Sequence, residues 1–60
     1  MILITFQDQE THQFQNSFMA KSFIGYQSTQ DLFVVKVRCD KASDYIAIED
    51  YLRLLNTNIQ

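Results

Sequence analysis

The chain has 60 residues, a formal charge of −2 and an apolar share of 47%, with five Phe and three Tyr. That length allows one domain, and the composition is too apolar for a disordered segment. One Cys and one His exclude an internal disulfide and leave a four-ligand zinc site incomplete without carboxylates or a second chain.

A chain this short buries only about 60% of the surface its unfolded form exposes. Disulfides, a structural metal or self-association are the usual remedies, and the first two are disfavoured here. A homo-oligomer, with a dimer favoured, is the expectation, together with an unidentified protein partner. Acids and bases are mixed along the chain, so no basic tail or acidic block marks a polyelectrolyte partner. No Lys or Arg precedes the short apolar run at Ile2, and no stretch reaches the length of a membrane span. The sequence therefore reads as a single cytoplasmic domain over residues 1–60, with a reduced thiol and no membrane partner.

Residues 1–7 alternate, with Ile2, Ile4 and Phe6 on one face and Leu3, Thr5 and Gln7 on the other; this predicts a first strand. Asp8, Gln9 and Glu10 suit a tight turn, and residues 11–15 alternate weakly as the return strand of a hairpin. The competing reading is a helix over residues 10–20, since Phe14 and Phe18 stand four apart. Gln13, Ser17 and Lys21 interrupt the stripe that helix needs, so the hairpin is preferred. Residues 22–27 (Ser-Phe-Ile-Gly-Tyr-Gln) read as another strand. The one glycine, Gly25, then marks a bulge or bend, or a close approach by a neighbouring ring.

Residues 31–39 carry the densest β-branched and aromatic run and predict the central strand. Alternation puts Phe33, Val35, Val37 and Cys39 inward and Val34, Lys36 and Arg38 outward. Residues 44–55 have two readings. One is a single helix with Ile48, Tyr51, Leu52 and Leu55 in a stripe, which leaves Ile46 and Leu54 on its polar side. The other, slightly preferred, is a strand over 45–48 followed by a helix opening on Glu49 and Asp50, with Glu49 four before Arg53. Residues 55–60 read as a frayed tail.

The fold class expected is α+β: a small antiparallel meander of four to five short strands, with a C-terminal helix packed on one face. Tyr51, Leu52 and Leu55 should cover Val35 and Val37, with Ile2, Ile4, Phe6, Ile46 and Ile48 completing the core.

Little chemistry accompanies this frame. His12 has no visible nucleophile beside it, and Cys39 ends an inward strand face, where a thiol behaves as a small hydrophobe. Asp40, Asp44, Glu49 and Asp50 crowd one region without the calcium-loop pattern; a solvated helix start accounts for them. A single glycine cannot build a phosphate loop, and the chain has little volume for a concave site. The expectation is no enzyme: no catalytic residue, cofactor or metal. The function expected is a small protein–protein interaction or regulatory module of inhibitor or adaptor type, self-associating, with Leu54, Asp50 and Tyr51 as its contact residues. The alternative is a nucleic-acid-associated regulator using Lys21, Lys36 and Arg38 as a basic strip on the sheet.

Overall fold

A computed structural model of the chain describes residues 1–59, with side chains described as far as Asn56. The elements run β1 (Ile2–Phe6), β2 (Thr11–Phe14), α1 (Ser17–Ser28), β3 (Val34–Cys39) and α2 (Ala42–Ile59). Both sheet pairings are antiparallel and the order is β2-β1-β3. The class is α+β as the sequence implied, with the C-terminal helix packed on the sheet; the described residues hold three strands and two helices in place of the expected meander of four to five strands, because residues 22–27 and 45–48 are helical. The strand in the middle is β1, and the valine-rich β3 lies at an edge.

The hairpin closes as its residue types suggest. Gln9 donates its N–H to the Phe6 carbonyl at 2.9 Å, and Phe6 donates back to the Glu10 carbonyl at 3.0 Å. Gln9 sits at φ 71°, the left-handed residue that completes a three-residue hairpin loop. The Asp8 carboxylate accepts the Glu10 N–H at 3.0 Å, the local bond that favours Asp in turns.

Antiparallel partners share a face, so the register sorts the sheet into two. Ile2, Phe14 and Cys39 stand together, as do Ile4, His12 and Val37. With Phe6 and Val34 they form the face the helices cover. Leu3, Gln13 and Arg38, and Thr5, Thr11 and Lys36, lie on the face without helices. Ile2, Ile4 and Phe6 are fully buried, together with Ala20 and Ile24 of α1 and Ile48 of α2. One helix layer on one sheet face is the minimal two-layer solution for burying such a strand.

Four expectations are corrected. Residues 22–27 belong to α1 and not to a strand. The Asn16 side chain caps that helix, accepting the Met19 N–H at 2.9 Å, and Ala20 and Ile24 place one turn of small and branched side chains on the sheet. Gly25 is helical, and a Cβ there would lie 2.6 Å from the Tyr51 hydroxyl oxygen; of the two roles weighed, the close approach is the one seen.

Second, residues 45–48 lie inside α2, which begins at Ala42 with Asp44 in its first turn. Their β-branched and aromatic content yields to a position where one 18-residue helix buries Ile48 and packs Tyr51, Leu52 and Leu55 on the core. Ile46 consequently faces water and is no core residue. Third, α2 continues past Leu55 to Ile59; the side chains of residues 57–59, and Gln60, fall outside the described residues, and with them most of the expected fraying.

The fourth is a phase error in β3. Phe6 pairs Val34 while Thr5 pairs Lys36, so Val35 is an extra residue in the ladder. Such a bulge shifts the alternation by one. Val37 and Cys39 point inward as expected, but Val34 takes the inward place assigned to Val35, which is 57% exposed.

Candidate functional site

α1 is apolar on more than one side. Ala20 and Ile24 meet the sheet and Gly25 meets Tyr51 of α2, yet Phe18, Met19, Phe23 and Tyr26, with Ser22 among them, make a further apolar side. An apolar helix face is expected to be covered. Here it is not: Phe18 is 74% exposed, Tyr26 62% and Met19 50%. These side chains, with Phe14 and Phe23, line one continuous, open, almost wholly apolar surface on the side of α1 next to β2.

Edge-to-face and tilted rings hold that surface in place from beneath. Phe23 lies 5.5 Å from Phe14, 4.8 Å from His12 and 5.6 Å from Phe6, measured between ring centroids. Phe6 and His12 meet edge to face at 5.6 Å. His12 is thus packed between rings as an aromatic spacer on β2. Edge-to-face rings contribute about 0.5–1.5 kcal/mol per pair beyond the area they bury.

The open side of β2 adjoins this surface. The hairpin bonds at Phe6 set the alternation of backbone bonding, so His12 and Phe14 direct their peptide groups toward β1. Thr11 and Gln13 direct theirs away from the sheet. The two sheet edges differ in character. β3 carries Lys36, Arg38 and a bulge, all devices that discourage strand addition. β2 reads Thr-His-Gln-Phe, with no Lys, acid, Pro or bulge.

The contact residues expected from sequence are divided by the fold. Leu54 and Asp50 are exposed on α2, and Asp50 pairs with Arg53 at 3.4 Å. Tyr51 is half-buried, with its hydroxyl against Gly25 of α1. The basic strip is also divided. Lys36 and Arg38 lie with Leu3, Thr5 and Thr11 on the helix-free sheet face. Lys21 lies in the helix layer, beside Phe18, Ser22 and Tyr51. None of the residues lining the Lys36 and Arg38 surface is aromatic, so bases would find no ring to stack on there.

Among the described residues, no group of three or more His, Cys, Asp or Glu is placed to hold a metal ion, and no helix is long and apolar enough to cross a membrane. Cys39 is half-buried on β3. Burial pushes its thiol above the ordinary value, and the nearby Asp44 carboxylate adds to the shift. The Glu49 carboxylate, which also accepts a hydrogen bond from its hydroxyl, raises the Tyr45 phenol. Both shifts hold the group in its neutral, unreactive form.

The aromatic surface is not legible as a site because the alternation places Phe14, Phe23 and Tyr26 on strands and leaves Phe18 and Met19 between them without an element. The signal available was the pair Asn16 and Ser17 ahead of Phe18 and Met19, a helix start whose cap residue is favourable. Compared with protein-family models, with characterised proteins and with solved structures, the chain gives no match.

Proposed function

We propose that this protein is a small non-catalytic interaction module that works by presenting the outer face of α1, beside the β2 edge, to another protein surface. One observation carries the reading: among the described residues the two most exposed rings, Phe18 and Tyr26, lie together with Met19 on one helix face. Taking a large side chain at ~200 Å², the exposed parts of Phe18, Met19 and Tyr26 amount to about 370 Å² before Phe14 and Phe23 are added. A patch of that order is the size of the largest apolar patch on a typical monomer, which is often functional. The buried core supports the same view, since it holds six residues among those described and a domain of this size gains stability from covering more.

The reading relocates the contact residues from Leu54, Asp50 and Tyr51 to Phe18, Met19 and Tyr26. The test is an association assay on three immobilised proteins: wild type, Phe18→Asp with Tyr26→Asp, and Leu54→Asp. Association with protein that survives nuclease, is lost in the α1 variant and is retained in the Leu54 variant supports the proposal. Equal association in all three removes α1 as the surface. Association that disappears with nuclease or salt would transfer the function to nucleic acid and to Lys36 and Arg38.

A further inference from the structure

We infer that the partner of this face is a second copy of the same chain, joined through β2. The inference rests on the interaction-surface reading above and adds an occupant and a register to it. In the proposed dimer, β2 pairs antiparallel with β2 of the other protomer about a twofold axis at Gln13. The two three-stranded sheets become one of six strands, β3-β1-β2 continued by the partner's β2-β1-β3.

Three features converge on this geometry. First, the free peptide groups within β2 belong to Thr11 and Gln13. A twofold at Gln13 sets Gln13 opposite its own copy, where the two residues exchange both backbone bonds, and brings Thr11 opposite Gln15 of the partner subunit, in the bend that leads from β2 to α1.

Second, the edge does not repel itself. Residues 11–15 carry Thr, His, Gln, Phe and Gln, whereas β3 paired with its own copy would bring Lys36 and Arg38 of two protomers together. Only β2 is left undefended, and the undefended edge is the one beside the apolar helix face. Third, the same twofold sets His12 opposite Phe14 of the partner subunit, on the sheet face that α1 covers. The aromatic cluster of Phe14, Phe23 and His12 then continues from one protomer into the other, and Phe18 and Tyr26 close over the join from both sides. A C2 interface of this kind is self-complementary by construction.

A stable interface takes roughly 800 Å² from each partner. The exposed parts of Phe18, Met19 and Tyr26 come to nearly half of that, and pairing along β2 beside Phe14, Ser22 and Phe23 adds to it.

Cross-linking reads the register directly. In a Cys39→Ser background, Gln13→Cys places two Cα atoms about 5.5 Å apart across the twofold, within the range a disulfide spans. Thr11→Cys places them about 14 Å apart, four residues along the strand. Mild oxidation should therefore link the Gln13→Cys protein into a covalent dimer and leave Thr11→Cys as single chains, while Phe18→Asp in the native chain should halve the mass measured by light scattering. A doubled mass with equal linking at both positions, or a doubled mass that survives Phe18→Asp, overturns the β2 interface and leaves self-association through another surface. A wild-type chain that stays at monomer mass overturns the second copy as occupant; the three-variant association assay then decides separately whether the face binds a different protein.

Discussion

The contact between Gly25 and Tyr51 allows the packing of the two helices to be tested by subtraction. Glycine inside a helix costs about 0.5–1 kcal/mol relative to alanine, and Gly25 has no positive φ, so its backbone suits alanine. The gain is blocked by one atom: the new Cβ would stand 2.6 Å from the Tyr51 hydroxyl oxygen, while the next atom, the ring carbon that bears it, is at an ordinary 3.8 Å. Gly25→Ala alone should therefore destabilise by about 1 kcal/mol, as overpacking does. Tyr51→Phe removes the blocking atom and should by itself change stability by less than about 0.5 kcal/mol. In the Tyr51→Phe background, Gly25→Ala should stabilise by roughly 0.5–1 kcal/mol, raising the melting temperature by about 2–8 °C for a domain of this size. The double-mutant cycle then shows a favourable coupling of about 1.5–2 kcal/mol. Thermal unfolding of the four proteins at one fixed concentration is the assay, because the proposed self-association would make the midpoint depend on concentration. Equal stabilisation by Gly25→Ala in both backgrounds would mean that α2 does not pack Tyr51 there. Destabilisation in both would mean that residue 25 sits in a bulge and that α1 is wrong.

Three other outcomes follow from single contacts. Asn16→Ala removes the acceptor that caps α1 and should cost about 1 kcal/mol in chemical denaturation; no loss would deny that the helix starts at Ser17. Cys39 holds its proton more tightly in the folded chain, so alkylation near pH 8 should be slower in native than in urea-unfolded protein, and Asp44→Asn should speed it modestly. The same linkage makes stability fall as pH rises through the thiol range, a fall that Cys39→Ser abolishes; equal native and unfolded rates would contradict it. Leu54 stands 61% exposed on α2, away from the proposed interface. Leu54→Asp should leave both mass and melting temperature as they were, and a halved mass would move the interface to α2.

The parts of the fold legible in the sequence are those where one periodicity stands alone. Ile2, Ile4 and Phe6 alternate against polar neighbours and became the buried face of β1, and the turn residues around Gln9 and the return strand through His12 followed from the same reasoning. α1 was hidden because its apolar residues serve two surfaces at once. Ala20 and Ile24 face the sheet while Phe18, Met19 and Tyr26 face outward, so no single stripe stands out and residues 22–27 resemble a β-rich strand. The candidate site and the misreading thus have one origin, since a helix apolar toward both the sheet and its outer side loses the amphipathic pattern that would announce it. Val35 was misplaced for a different reason. A bulge changes the phase of a strand without changing its composition, and it is set by pairing to β1, which residues 31–39 alone do not encode. Residues 45–48 show local β preference yielding to the burial of Ile48 within a longer helix.

The dimer through β2 is tested most directly by sedimentation equilibrium of the wild-type chain and of Gln13→Pro, from micromolar to submillimolar concentration. The Gln13 N–H points away from β1, so proline there costs the monomer no ladder bond, and circular dichroism should show an unchanged fold. The account predicts twice 7.1 kDa for the wild type and the single-chain mass for the proline variant. A wild-type chain at 7.1 kDa throughout, or a folded proline variant that keeps the doubled mass, would contradict it.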